Sequence, residues 1–369
     1  MSILLSHATA LEALRSPLAR RRLNRGERCA AEVPDAPPAL EELDALFERL
    51  PSLARPIHVS VSERSRRAES SQVHTHTTRL QLPSDSAIRL AEGIYCSSPE
   101  RVVVEMSRTL THLELVFLLG ELLGTYAIVP ETEEGMVKRP RPVTDPGRIL
   151  AHLAALGSVS GVARVRRALR VACVGSASPQ ETRLSMRLGL KPALGGYHLD
   201  VLSMNEPVEV IRIGRALGEG VRKPDVLLRA PRADAPFSGV AFDYEGEVHR
   251  RPGRRTVDLR RQNELLAVNF KDYLLDKVLY DDLDYMDDLV RRVRDDLGIA
   301  QPRLGYAEEA RRRALRQWLH DELELIDGVT WAGRSRERDR HRALPVELVC
   351  HQIPEPVYDP VPVEAYDLD

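Results

Sequence analysis

The segment at residues 240–245 (VAFDYE) constrains the fold most, because it places two acidic residues at the end of an apolar stretch. Side chains of a β-strand alternate between its two faces, so Asp243 and Glu245 would share one face. The apolar residues before them indicate a buried strand, in which unpaired carboxylates are costly. Either this face is solvated, or a partner for the two acids lies nearby.

A third acidic residue, Asp225, precedes the apolar residues 226–228. It would meet Asp243 if the two strands were neighbours; alternatively, it is a turn residue at the entry to a strand. Converging carboxylates repel one another unless a cation lies between them, and hard oxygen ligands suit Mg²⁺ or Mn²⁺. The sequence therefore predicts that Asp225, Asp243 and Glu245 bind Mg²⁺ or Mn²⁺, which would activate water for phosphodiester hydrolysis.

Two further residues complete the candidate catalytic set. Glu181 follows Ser178-Pro179 at the start of a predicted helix, where it can also close a capping box, and the two roles are compatible. His249 lies three residues after Gly246 and is predicted to assist proton transfer, the alternative being a surface histidine.

Arginines follow on the next predicted helix. Arg255 and Arg261 are predicted to contact the phosphates of DNA. The alternative is that they are solvated or paired with Asp258 and Glu264.

These motifs together resemble a known family. Ser-Pro-x-Glu (178–181), Pro-Asp (224–225), acid-x-acid-Gly-x-x-His (243–249) and Arg-x-x-Asp-x-x-Arg (255–261) resemble the restriction-endonuclease-like, PD-(D/E)xK-type fold over residues 170–300. The branch in question is that of the very-short-patch-repair endonucleases and their bacterial relatives. The resemblance implies Asp225 and Asp243 as metal-binding acids, Glu245 at the third site position, Glu181 as the helix carboxylate and His249 as the histidine after the turn. Glu245 stands where the wider superfamily commonly has lysine, and the two strand acids are exchanged relative to that branch.

The N-terminal part has a separate resemblance. Residues 6–11, 57–61 (IHVSV) and 95–101 resemble the region that follows the winged helix in AbiEi-type antitoxins and regulators, over residues 1–125. The resemblance implies a regulator-like module without that winged helix.

The expected fold class is α+β overall, in four parts. An N-terminal α/β regulator-like module spans 1–128, and a proline-rich linker spans 129–147. A restriction-endonuclease-like α/β domain with a helical extension spans 148–327, and a charged, proline-rich tail spans 328–369. Periodicity and capping residues predict helices near 40–50, 102–106, 113–123, 148–156, 162–173 and 255–265, and strands at 57–61, 72–76, 78–82, 197–204, 223–228 and 240–249.

Two other patterns suggest metal sites but have simpler interpretations. His74 and His76 share a strand face, yet no third ligand for zinc is evident, so a plain polar face is predicted. The acidic residues 280–287 carry apolar residues at helical spacing, which predicts an amphipathic helix rather than a metal-binding loop.

Composition limits the function classes. The 53 basic and 55 acidic residues give a net charge of −2, without the basic excess of a dedicated nucleic-acid binder. Four widely spaced cysteines indicate neither a disulfide framework nor a structural zinc site. No apolar run reaches the roughly 20 residues of a membrane-spanning helix, and the start does not resemble a signal peptide, so no membrane association and a cytoplasmic location are predicted.

The sequence therefore predicts a divalent-metal-dependent DNA endonuclease-like protein of defence, repair or a toxin–antitoxin-like context. Two alternatives stay open. One is a non-catalytic DNA-binding regulator that retains a degenerate nuclease fold. The other is an interaction module whose charged helices bind a protein partner, or a second copy of the chain.

Overall fold

The structure, a computed structural model, describes residues 2–66, 68–78, 82–199, 202–212, 218–245 and 254–334. These residues form a mixed α/β protein, which confirms the predicted α+β class. The helices are α1 (His7–Arg15), α2 (Pro17–Asn24), α3 (Leu40–Arg49), α4 (Pro99–Met106), α5 (His112–Leu122), α6 (Pro146–Leu156), α7 (Val162–Leu169), α8 (Pro179–Gly189), α9 (Arg254–Ala267), α10 (Lys277–Asp281), α11 (Leu283–Asp296) and α12 (Tyr306–Leu325). The strands are β1 (Ile3–Leu5), β2 (Ile57–Val61), β3 (Val73–Thr77), β4 (Ala87–Ala91), β5 (Ile94–Ser97), β6 (Tyr126–Ile128), β7 (Met136–Lys138), β8 (Leu202–Met204), β9 (Val208–Arg212), β10 (Gly218–Arg222), β11 (Val226–Arg229), β12 (Gly239–Glu245) and β13 (Phe270–Asp276).

The first sheet has five strands in the order β3-β2-β1-β5-β4. The central strand β1 pairs antiparallel with β2 and parallel with β5, and β2 pairs parallel with β3. The strands predicted at 57–61 and 72–76 are therefore confirmed as β2 and β3. The strand predicted at 78–82 is wrong at Thr78 and Leu82, because β3 ends at Thr77, where its partner β2 ends at Val61; residues 79–81 lie outside the described residues.

The helices predicted near 102–106 and 113–123 form as α4, which begins earlier at Pro99, and as α5, which begins at His112. The Ser98 side chain accepts from the Arg101 N–H with Pro99 in the first turn, and Thr111 and Glu114 form a capping box. From Leu113 onward α5 is buried on every side, which is why its sequence is apolar without a polar face. Among the described residues, no helix combines the length and the apolar character needed to cross a bilayer.

One hydrophobic core lies around the first sheet and extends beyond it. It contains side chains from Ile3 to Leu190, including α6 and α7, and it takes in Leu319, Leu323 and Ile326 near the end of α12. The predicted linker contributes the buried Val143 and strand β7, which pairs with β6. The predicted limits at 128 and 147 stay predictions, and apolar packing crosses both of them.

The second sheet positions the candidate site. Its strand order is β13-β12-β11-β8. Strand β11 pairs antiparallel with both β8 and β12, whereas β12 pairs parallel with β13. Helix α9 lies between β12 and β13 in the chain. One face packs against α8 and α11 through an apolar cluster that includes Leu184, Phe242 and Val290. The opposite face packs against α9 and strand β9, through residues that include Leu227, Ala241, Leu265 and Phe270.

Most helices and strands predicted around the second sheet are confirmed, and one predicted strand is shorter than expected. The arginine-rich helix is α9, and the acidic segment at 280–287 enters the amphipathic helix α11, capped by Asp282. The strand predicted at 197–204 forms as β8 at 202–204 and is wrong at 197–199, because the Tyr197 and Leu199 N–H groups donate instead to backbone carbonyls at the end of α8. Residues 200 and 201 lie outside the described residues. The strand predicted at 240–249 forms up to Glu245 as β12, and the predicted tail lies outside the described residues beyond position 334.

Candidate functional site

Asp225 and Asp243 face each other across two neighbouring strands. In the β11–β12 register Val226 pairs with Phe242, so Asp225, one residue earlier, lies opposite Asp243. The Asp225 N–H donates to Asp243 Oδ1 at 3.1 Å, and the Tyr244 N–H donates to Asp225 Oδ2 at 2.7 Å. Each carboxylate is therefore tied to the backbone of the opposite strand, as the sequence predicted for two adjacent strands.

Burial raises the pKa values of Asp225 and Asp243, and repulsion from neighbouring acids adds to this effect for Asp243. Asp243 is 6% exposed, and burial followed by the charges of Asp272 and Asp225 raises its pKa to about 8. Burial also raises the pKa of Asp225, against a lowering by the Tyr244 N–H and by Arg261. Burial and the neighbouring acids therefore favour the protonated form of Asp243, whereas the charge of Arg261 opposes this shift.

Arg261 supplies the positive charge nearest to this pair. From α9, its Nη2 donates to Asp243 Oδ1 and, at 2.9 Å, to the Lys223 carbonyl. Arg261 is 26% exposed and pairs with Asp243, and Glu264 pairs with Arg222 instead. The alternative pairing with Asp258 concerns a side chain outside the described part of the structure. A direct DNA contact by Arg261 stays a prediction.

One carboxylate oxygen of the acidic pair has no hydrogen-bond partner among the described residues. Asp243 Oδ2 is buried and has no hydrogen-bond partner among the described residues. A buried carboxylate oxygen in this state is costly, and a cation or a water would satisfy it. The donor set therefore fits a hard divalent cation.

Glu181 approaches from the start of α8. Its N–H bonds to Ser178 Oγ at 3.1 Å, and its Oε2 accepts from the Ala177 N–H at 2.8 Å and from Asn205 Nδ2 at 2.7 Å. The carboxylate thus reaches back to the residue before the cap instead of to the cap itself. Burial and then the charge of Asp225 raise the pKa of Glu181 to about 7, so it lies close enough to Asp225 to interact with it.

The other predicted site residues are placed as follows. Glu245 is the last residue of β12, exposed, and on the Asp243 face by alternation. Arg255 lies in the first turn of α9, with its side chain outside the described part of the structure. His249 lies outside the described residues altogether.

Sequence reasoning missed Asp272, whose charge is the largest unfavourable influence on Asp243 after burial. It lies on β13, where it pairs with Ala241 and faces the same side of the sheet as Asp243. The β13 sequence FKDYLLD shows no clear alternation. The available signal was the asparagine at position 269, a residue type that often follows a helix end; it lies between α9 and β13 and has a left-handed φ of 63°.

A second group of metal-binding residue types lies elsewhere. Within the described ranges, Asp281, His320 and Glu324 place one ligand atom each within 4.8 Å of the others, with no ion present. Lys277 Nζ already pairs with Asp281 at 2.8 Å and Glu324 at 2.6 Å, so a side-chain cation already contacts both acids of this group. It contains none of the acids predicted from the sequence.

No protein-family model matches the chain, and neither a curated protein nor a solved structure matches it. The functional argument therefore rests on the geometry of the acidic pair and on the residues around it.

Proposed function

We propose that the chain is a divalent-metal-dependent nuclease that hydrolyses phosphodiester bonds of DNA, with Asp225 and Asp243 as ligands of Mg²⁺ or Mn²⁺. The observation that carries the proposal is the buried pair of carboxylates across β11 and β12, with Asp243 Oδ2 unpartnered among the described residues. Structural ion pairs normally satisfy both oxygens of a buried acid. An open oxygen beside a second carboxylate is the arrangement that a divalent cation completes.

A bound Mg²⁺ or Mn²⁺ supplies Lewis acidity, which activates water and stabilises charge on a phosphodiester. Asp225 and Asp243 hold the ion, and they must be deprotonated to do so. Glu181, whose pKa lies at about 7, is suited to accept a proton near neutral pH. Glu245 and His249 are proposed as the further acid and the proton-transfer residue that the family resemblance implies.

In this proposal Arg261 binds a phosphate of DNA next to the acidic pair. Its side chain is 26% exposed while one of its nitrogens touches Asp243, so the guanidinium spans the distance from the buried pair to the surface. A guanidinium at that position can hold a phosphate group of DNA next to the acids. It also supplies a positive charge close to where related nucleases commonly have lysine and this chain has Glu245.

The same contact supports a second candidate function. Because Arg261 already neutralises Asp243, the fold can keep the acidic pair without a metal. A DNA-binding regulator that has lost the chemistry would have this pairing. The N-terminal resemblance to antitoxins and regulators agrees with either function, and with a role in defence or repair.

The test is nicking of supercoiled plasmid by the full chain in Mg²⁺ or Mn²⁺. We expect nicking that EDTA abolishes and that Asp225→Asn and Asp243→Asn each reduce by at least about 100-fold, since even the outer partners of metal ligands are worth 10–100-fold. Asp281→Asn is the matched control, because it removes an acid from the other candidate metal group.

The outcomes separate the candidates. Salt-sensitive DNA binding without nicking, unchanged in the two variants, would establish the regulator instead of the nuclease. If no DNA binding occurs at low salt, both DNA functions fail and the protein-partner alternative remains. Loss of nicking in Asp281→Asn alone would move the metal site to the second group.

A further inference from the structure

A cluster of four histidines lies on the first sheet, far along the chain from the acidic pair. His74 and His76 of β3 meet His58 of β2 and His7 at the start of α1. His58 Nδ1 lies 2.8 Å from His76 Nε2, and the His7 and His76 rings stack with centroids 3.5 Å apart. The plain polar face predicted for His74 and His76 is therefore incomplete, because two distant residues join them.

The geometry of the rings argues against a metal at this cluster. Adjacent rings are nearly parallel, with interplanar angles of 8–18° for the four stacked pairs. Imidazole lone pairs lie in the plane of the ring. The His58 and His76 nitrogens are at hydrogen-bond distance from each other, and the His7 ring stacks on the face of His76, so these nitrogens do not converge on one point. Burial lowers the pKa of His7 to about 3, which makes this ring neutral at physiological pH.

Next to the histidines lies a cavity of about 600 Å³, a size that holds a small organic molecule. Its wall includes His7, His76 and His152, and its cationic residues are Arg64, Arg101 and Arg108. Glu105 is the acidic residue in this wall, and its carboxylate is already used by Arg101 Nε at 2.6 Å, Ser97 Oγ at 2.9 Å and the His7 N–H at 3.0 Å. The cavity is therefore positively charged.

Two deeply buried polar side chains line this cavity with nitrogen atoms that have no hydrogen-bond partner among the described residues. His152 is 4% exposed and neither ring nitrogen has a hydrogen-bond partner within the described part of the chain. Arg101 is also 4% exposed; Ser60 and Glu105 take two of its nitrogens, and Nη1 is left unpartnered among the residues described. Groups of this kind are costly unless a ligand or water satisfies them.

Backbone strain at the cavity is a further observation. His7 has a φ of 50°, in the left-handed region that residues other than glycine rarely adopt, and its N–H is held by Glu105. Strain of this kind concentrates at ligand sites, where the surroundings impose it.

We propose that this cavity binds a small oxyanionic molecule, with its phosphate or carboxylate group seated on Arg101 and His152 and with Arg108 at the same wall. Arg101 and His152 are themselves only 4% exposed, so the phosphates of a DNA duplex would not reach them, whereas a detached small molecule would. The cavity is much larger than a phosphate ion, so the ligand carries a further group beyond its anion. This site is separate from Asp225 and Asp243, and its test does not depend on nuclease activity.

The experiment is titration of the full chain with inorganic phosphate, pyrophosphate or acetate at constant ionic strength with EDTA present, followed by calorimetry and thermal unfolding. We expect saturable binding and a rising Tm with one of these anions; the preferred anion separates a phosphate from a carboxylate ligand. His152→Leu and Arg108→Gln should each weaken binding at least tenfold. Arg148→Gln, on the exposed face of the same helix as His152, is the control and should bind as the wild type does.

A second readout separates binding from folding. His152→Leu removes two unpartnered nitrogens, so the Tm of this variant without ligand should equal or exceed that of the wild type. Absence of saturable binding by all three anions would overturn the proposal, as would equal weakening in Arg148→Gln. Displacement of the bound anion by duplex DNA would also overturn it and indicate a nucleic-acid site.

Discussion

The buried acid Asp243 makes the stability of the protein depend on pH, and Asp243→Asn should remove that dependence. Asp243 ionises near pH 3.8 when the chain is unfolded and at a pKa of about 8 in the folded protein. The folded state therefore binds a proton that the unfolded state has released. The contribution of Asp243 to the free energy of unfolding is complete at pH values below its unfolded pKa, and it is lost as the pH rises through its folded pKa.

The size of the effect follows from the same two values. Between the two pKa values, each rise of one pH unit lowers the free energy of unfolding by about 1.4 kcal/mol, because one proton is involved. From about pH 6 to about pH 8 the wild type should lose about 2 kcal/mol through Asp243. Asparagine has no proton to lose, and its oxygen can still accept the Asp225 N–H, so the variant should lose about 2 kcal/mol less over that range.

The assay is urea unfolding of the wild type and Asp243→Asn at several pH values with EDTA present, monitored by circular dichroism. Asp234→Asn, an exposed acid paired with Arg232, controls for the loss of a negative charge. Added Mg²⁺ should stabilise the wild type more at the higher pH, where protons compete less, and should not stabilise Asp243→Asn. Parallel pH profiles for the wild type and Asp243→Asn would refute the reasoning.

Three further predictions concern single residues. Glu181→Gln should flatten the rise of nicking rate with pH near 7, measured as a pH–rate profile, because the pKa of Glu181 lies there. Leu319→Ala should lower the unfolding free energy by about 2–5 kcal/mol in urea titrations, since Leu319 is fully buried, whereas exposed Leu325→Ala should change it by less than about 0.5 kcal/mol. Gly195→Ala should lower Tm in thermal unfolding, because φ is 82° and the new Cβ would meet the Leu315 carbonyl; an unchanged Tm would contradict this.

Local patterns predicted the parts of the site that local rules determine. Alternation along the strand predicted the common face of Asp243 and Glu245, and the apolar residues 226–228 placed Asp225 at the entry to a strand. The Ser178-Pro179 start gave α8 and the position of Glu181. These features depend on neighbours within a few residues.

Long-range packing determined the rest. Arg261 meets Asp243 because α9 crosses between two parallel strands, and no spacing within the helix indicates which arginine turns inward. His58 and His76 are brought together by the parallel pairing of β2 with β3, in which Ser60 lies opposite His76. Contacts that depend on how distant strands pair cannot be predicted from one sequence alone.

Helix α12 has a consequence for the synthesis of the protein. Its Leu319 and Leu323 complete the core around the first sheet, although they follow that sheet by more than 200 residues. A growing chain would thus leave the ribosome with that apolar surface open until α12 emerges. A fragment of residues 1–300 should bind an apolar dye that the full chain does not, and adding α12 as a separate peptide should displace the dye.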